Sequence, residues 1–376
     1  MRNNARKQRR IPLFAFRYDI VVIDMNMSQG NEVGRLRRDR GWSQQELAKR
    51  SGVSRAEVSA VENARLSPSI ATALALARAL GRTVEELFAL PGAGGAAWAF
   101  PPRTKSGRFW EARVGARRLL FPVEPTALGV VPHDGTYDSD SLDPKSGNDY
   151  EDTVVVAGCD PAVGLLASEL RRVDGLRVIA LTRSSRDALS LLSRGLVHGA
   201  GVHWFSERGR DANASVVSTT LGSGYRLLHL ARWQEGVALA PSIRVRSTSA
   251  LARSRIRWVG REEGSGARRC LDRLLGGSHA SKRFRHIASD HRAVAQAVAG
   301  GWADAGVAVR LAAEEAGLDF LSVQQEDYDL CVADGLSSDR AVLALGRALR
   351  SGVVRKLYRD LPGYDSRRMG EERVVA

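Results

Sequence analysis

The chain has little cysteine: three residues in 376, at Cys159, Cys270 and Cys331. They are odd in number, far apart and never in a CxxC pair, which excludes a disulfide framework and a cysteine zinc knuckle. Long apolar runs are missing too. None approaches the roughly 18–20 residues that a membrane-spanning helix needs. The stretch from Ile11 to Met27 has some leader character but is interrupted by Arg17, Asp19 and Asp24. A cytoplasmic protein without membrane contact is the expectation. There is no GxxxxGKS/T phosphate loop, no GxSxG elbow and no HExxH pair. His279, His286 and His291 share one basic stretch, but their spacing puts no ligand pair on one helical turn. No enzyme, cofactor or metal site is therefore expected.

What the chain has is cationic charge, 56 Lys and Arg against 42 Asp and Glu, a formal net charge of +14. Residues 1–90 carry 16 basic and 9 acidic residues, so half of the excess lies in about a quarter of the chain. Such a concentration favours a polyanion, because each cation near a phosphate releases condensed counterions. The length suits two domains. Residues 1–30 read as a basic arm or an over-called start, with Met25 or Met27 as the alternative initiators. Residues 31–90 read as short helices. The linker 91–106 contains Pro91, Gly92, Gly94, Gly95, Pro101 and Pro102. The remainder, 107–376, alternates strand and helix patterns as a parallel α/β sheet does.

Within this second part, strands are expected between Arg108 and Phe121. An acidic, solvated loop follows from His133 to Asp152. Thr153–Gly158 and Arg177–Leu181 read as buried strands, and 161–172 and 185–194 as helices. A weak internal repeat relates Arg186–Val202 to Arg292–Ala308, each a helix ending at Gly followed by a small-residue strand. Two similar lobes with a ligand cleft between them follow from it.

The most specific stretch runs from Ser43 to Asn63. Ser43 precedes Glu46 by three residues and Ser54 precedes Glu57 by three, two capping boxes that open successive helices. Ala48 is small where two helices cross, and Gly52 sits where a tight turn needs positive φ. Leu47, Val53, Val58 and Val61 face a small core. From Glu32 to Leu90 the sequence resembles the Cro-like (xenobiotic-response-element-type) helix-turn-helix family, with Ala64 where that family usually has Gly. The resemblance implies a second helix in the DNA major groove. Its reading face would be Ser54, Arg55, Ala56, Ser59, Ala60 and Asn63, with Gln44 on the DNA backbone.

The second part carries three Gly- or Ser-bearing turns that open helices, at Gly158–Ala162, Thr182–Ser185 and Glu263–Arg268, where oxyanions often bind. With Gly195–His203, Arg232–Gly236, Ala303–Gly306 and Tyr328–Leu330, these residues resemble the periplasmic-binding-protein-like sensor domains related to molybdate-binding proteins. Ala267 stands where a Thr is common, and the usual Gly-Asn-Pro is missing at Ala240-Pro241-Ser242. The resemblance implies two α/β lobes closing on a ligand, with Asp160, Ser184, Ser185, His203, Ser265, Arg268, Asp304 and Tyr328 near the cleft. The expected protein is thus multidomain: an all-α helix-turn-helix domain plus an α/β two-lobed domain. It would act as a homodimeric regulator on double-stranded DNA, tuned by a small molecule or an oxyanion such as molybdate. Two alternatives stand beside this: a constitutive DNA-binding protein whose degenerate sensor is a dimerisation scaffold, and an enzyme targeted by its helix-turn-helix.

Overall fold

A computed structural model describes residues 31–375 apart from 32, 64, 83, 89–95, 140, 146–149, 206–211, 246 and 277–283. The expected N-terminal arm, Ala64 and His279 lie outside the described residues. Contacts divide the chain into two units, Met1–Gly94 and Gly95–Ala376.

The first unit is helical: α1 (Val33–Asp39), α2 (Gln44–Ser51), α3 (Arg55–Glu62), α4 (Ile70–Leu80) and α5 (Val84–Leu87). The backbone N–H of Glu46 donates to Ser43 Oγ and that of Glu57 to Ser54 Oγ, both at 3.1 Å. Only this half of each expected capping box is built. The Glu46 carboxylate turns to Arg50 Nε at 2.7 Å, and Glu57 accepts from Thr72 Oγ1 at 2.8 Å. Gly52 ends α2 with φ of 71°, a left-handed turn that a side chain would strain. Leu47, Val53, Val58 and Val61 join Leu36, Leu76, Leu80 and Leu87 in one core.

One ion pair ties the first three helices together. Glu62 accepts from Arg37 through both oxygens (2.6 and 3.1 Å) and from Gln44 at 3.0 Å, while Arg37 also donates to the Trp42 carbonyl. Burial opposes the Glu62 charge, but Arg37 and Gln44 outweigh it and hold its carboxyl below the usual range. This contribution is complete above the ordinary carboxylate range and is lost as pH falls through the lowered folded value.

The second unit opens with β1 (Ala97–Trp98), β2 (Ser106–Val114), β3 (Arg117–Pro122), β4 (Gly135–Asp138) and β5 (Ser141–Pro144), a sheet ordered β1-β3-β2-β4-β5. The expected strands are there, with two differences. The stretch read as linker includes β1, where Ala99 is buried and Phe100 packs edge-on against Phe121. The loop read as solvated contains the β4–β5 hairpin. Its Asp134 is buried because it takes two bonds at 2.6 Å from Arg177 and one from the Glu111 N–H.

Next come β6 (Thr153–Gly158), α6 (Val163–Asp174), β7 (Arg177–Thr182), α7 (Ser185–Ser193), β8 (Gly199–His203) and α8 (Ala212–Leu221), which build a first lobe. The long strand β9 (Tyr225–Leu239) crosses to a second lobe of α9 (Thr248–Arg253), β10 (Trp258–Arg261), α10 (Gly266–Leu274), β11 (Ile287–Ala288), α11 (His291–Ala299), β12 (Ala305–Val309) and α12 (Arg310–Glu315). A second long strand, β13 (Asp319–Ala333), returns to the first lobe. There α13 (Arg340–Arg350), α14 (Gly352–Arg359), β14 (Tyr364–Asp365) and β15 (Glu372–Val375) complete it. The sheet order is β11-β10-β12-β9-β13-β8-β6-β7. The inferred repeat corresponds to α7–β8 in one lobe and α11–β12 in the other, with Gly195 and Gly301 at φ of 63° and 73°.

Replacing Glu62 by Gln is expected to lower the stability of the helical unit by about 2 kcal/mol near neutral pH, and to flatten its loss in acid. Calorimetric unfolding at about pH 7 and about pH 3 checks both effects.

Candidate functional site

The first candidate surface is the α3 face. Ser54, Arg55, Ala56 and Asn63 are exposed, and Ser59 and Ala60 are half-buried on the same helix. Asn63 Nδ2 donates to the Ser59 carbonyl at 2.7 Å, so its side chain lies along the helix end. Gln44 is committed to Glu62 by the bond described above, which fixes the start of α2 against α3.

The second candidate is a cavity of about 1010 Å³ in the other unit. Three helix N-termini border it: the turn before α6 (Gly158–Pro161), the turn before α7 (Arg183, Ser184) and the turn before α11 (Ser289, Asp290). The first two belong to one lobe and the third to the other. Each follows a strand of the sheet, which is how parallel strands deliver helix amino ends to one edge. Ser184 caps α7, taking the Asp187 N–H at 3.2 Å and donating to the Asp187 carboxylate at 2.8 Å. Asp290 caps α11 through the Ala293 N–H at 2.8 Å.

Behind the cavity wall lies a buried polar chain. Cys159 Sγ is 3.2 Å from His203 Nε2, and His203 Nδ1 is 2.5 Å from Glu326 Oε2. The Gln324 amide bridges Glu326 (2.6 Å) and Glu235 (2.8 Å). Burial opposes a charge on His203, but Cys159 and Glu326 outweigh it and hold the imidazole well above its ordinary value. Burial next to Glu326 pushes Glu235 up to about 8. His291 is 0% exposed and among the described residues neither ring nitrogen has a partner; burial, with Arg261 and His203 near, holds it well below the ordinary value. Arg261, 1% exposed, donates through Nη2 to the Ser289 carbonyl and leaves Nε and Nη1 without a partner among the described residues.

Of the residues expected near the cleft, Asp160, Ser184 and Tyr328 line the cavity. Ser185 accepts the His203 N–H at 3.2 Å and so positions that residue. Ser265 caps α10 through the Arg268 N–H at 3.1 Å, next to Gly266, where a methyl group would press on the His203 ring. Asp160 is engaged: it accepts from the Ala162 N–H, Tyr358 and Tyr364, and burial raises its carboxyl. Arg268 and Asp304 are not brought to the cavity. Arg268 pairs with Asp272 at 3.0 Å, and Asp304 is held by Arg257 before β12. Cys159, His291, Arg261, Glu235, Gln324 and Glu326 are not among the side chains expected at the cleft, although Cys159 and Glu235 fall within the stretches Gly158–Ala162 and Arg232–Gly236. Of these only the rarity of cysteine and the odd histidine of the basic stretch left a trace.

Tyr328 packs against Trp233 with ring centroids 4.5 Å apart and planes inclined at 37°, and its hydroxyl closely approaches the chain at Gly158 and Gly201. That approach needs glycine at 158 and 201, because a methyl group at either would collide with Tyr328 Oη. Gly201→Ala is expected to cost about 1–3 kcal/mol through overpacking, read as a lower midpoint in denaturant unfolding of the full chain.

The helix-turn-helix family profile matches residues 33–87, and the PBP superfamily domain profile matches 167–350. The HTH-type transcriptional regulator y4dJ of Sinorhizobium fredii (strain NBRC 101917 / NGR234) is 40% identical over 65 residues, covering 17% of this chain and 84% of that protein. The protein YvgK of Bacillus subtilis (strain 168) is 25% identical over 230 residues, covering 59% of this chain and 74% of YvgK. An ABC-type phosphate transport receptor from Vibrio cholerae overlays 56% of this chain and 98% of its own at 13% identity, with a TM-score of 0.40. Among the described residues no helix is long and apolar enough to cross a membrane. The chain belongs to the helix-turn-helix family of transcriptional regulators and carries a PBP superfamily, ligand-binding type of domain behind its DNA-binding unit.

Proposed function

We propose that this regulator binds a specific DNA site through α3 and changes its grip on that site when a small anion enters the cavity of the PBP-like domain. The observation that carries the anion reading is the convergence of the α6, α7 and α11 amino ends, from both lobes, on one cavity. Helix amino ends expose unpaired N–H groups and a positive dipole, and a ligand touching ends from two lobes favours their approach. Arg261, buried behind the same wall, donates through Nη2 to the Ser289 carbonyl at 3.2 Å and stands 3.5 Å from Glu262, which places a cationic group there. Oxyanions such as molybdate, sulfate or phosphate, and small carboxylates, match this donor set. The domain would bind its ligand without transforming it.

DNA reading falls to Ser54, Arg55, Ala56, Ser59, Ala60 and Asn63, with Arg55 suited to the two acceptors of a guanine edge. Gln44 would act mainly by holding α2 to α3. Two copies of the chain would read two half-sites about one helical turn apart, so that a small change in their spacing changes affinity. The ligand-free alternative, a constitutive DNA binder with a scaffold domain, makes the opposite forecast in the test below.

The full chain is expected to show a raised melting temperature with one of these anions, by mass action. The same anion is expected to change the mid-point of a DNA titration on the region upstream of its own coding sequence. No thermal shift with any anion, together with unchanged DNA binding, would sink the ligand-responsive reading. Arg55→Ala is expected to weaken specific binding by about 1–3 kcal/mol, and binding should fall steeply as salt rises. Sequence-independent binding alone would sink specific regulation.

A further inference from the structure

We propose that Cys159, His203 and His291 form a binding site for a late first-row divalent cation of the zinc type at the floor of the cleft. This goes beyond the reading of the cavity as an anion site and stands whether or not an anion enters. The Cys159 Sγ and one ring nitrogen from each histidine lie within 4.8 Å of one another, and all three residues are buried. A tetrahedral zinc-type ion with bonds near 2.0–2.3 Å sets its ligand atoms roughly 3.3–3.6 Å apart. Cys159 and His203 already stand at 3.2 Å, so only a small movement of His291 completes the triangle.

Three further observations fit this chemistry. His291 is fully buried with both nitrogens unpartnered among the described residues, a cost of about 1–3 kcal/mol; a metal bond would remove it at one nitrogen. His203 presents its far nitrogen to Glu326 at 2.5 Å, the carboxylate–histidine arrangement that orients metal-bound imidazoles. Cys159 and His291 both line the cavity, so a fourth coordination position would open into it. Sulfur and imidazole together select zinc-type ions over calcium or magnesium. A second grouping, His203 with Glu235 and Glu326, is the weaker candidate because the Gln324 amide already bridges both carboxylates.

The ligands come from two lobes. Cys159 follows β6 and His203 ends β8 in the first, whereas His291 opens α11 in the second. A bound ion would therefore pin the lobes together at the cleft floor.

Cobalt(II), added to full-length protein stripped with chelator, is the probe. One equivalent per chain is expected, with a thiolate-to-cobalt charge-transfer band and the intense visible bands of tetrahedral cobalt. Cys159→Ser should abolish the charge-transfer band, and His291→Ala should weaken binding at least 10-fold, whereas His286→Ala should leave both unchanged. A substoichiometric titration, or a thiolate band that survives Cys159→Ser, overturns the proposal. Because a variant can fail to fold, the wild-type protein supplies a second reading. Zinc should slow alkylation of Cys159, with Cys270 and Cys331, each buried in an apolar core, as internal references. Equal alkylation of Cys159 with and without zinc overturns the proposal as well. Anion thermal shifts measured in chelator report on the cavity separately. A failed cobalt titration beside an intact anion shift removes the metal site and leaves the anion reading standing.

Discussion

The pairing of β9 with β13 is the interaction on which the ligand-binding unit depends. Each strand has 15 residues and runs through both lobes, and they pair from Asp319 opposite Leu239 to Ala333 opposite Tyr225. Every other strand of the main sheet is joined to one of them, directly or through intervening strands. At the crossing, register shifts occur between Ser322 and Gln324 and between Tyr328 and Asp329. Irregularities of this kind increase local twist, which lets one ribbon serve two lobes. Glu235, Gln324 and Glu326 lie in this crossing segment. A slip by one residue would turn these polar groups into apolar surroundings and leave them unsatisfied. Their mutual bonding therefore fixes register as well as backing the cavity wall.

Local signals were legible in the sequence wherever one stretch contained both cause and effect. The caps at Ser43 and Ser54, the turn at Gly52 and the core positions Leu47, Val53, Val58 and Val61 are all contained within Ser43–Asn63. Likewise Thr153–Gly158 has the bounds of β6 as read from its apolar run. What such signals could not convey is the competition for a side chain. Glu46 has the capping-box spacing, yet Arg50 one turn later offers its carboxylate a charge, which a backbone N–H does not.

The cleft was legible as a place and much less so as a set of groups. Turns at Gly158 and Ser184 were visible because small and capping residues mark strand-to-helix junctions. The chain from Cys159 through His203 and Glu326 to Glu235 joins four separate segments, and no spacing rule connects them. Cysteine arithmetic looks for neighbours in sequence, so a solitary Cys159 left the metal question closed at that level. Arg268 and Asp304 show the converse error. Both sit in motifs that suggested a ligand, but each has an ion-pair partner close by, Asp272 one helical turn on and Arg257 on the adjoining loop.

Asp160 has an implication for the order in which the chain can mature. Its buried carboxyl is satisfied by Tyr358 and Tyr364, about two hundred positions downstream, and β15 adds a strand to β9 from the same late region. During synthesis the second lobe, a continuous insertion between β9 and β13, can collapse as soon as it leaves the ribosome. The first lobe, although begun earlier, must wait for its tyrosine clasp. The lobe that is made first is thus the lobe that finishes last, because the side-chain partners of its buried carboxyl are among the last residues of the chain to be made.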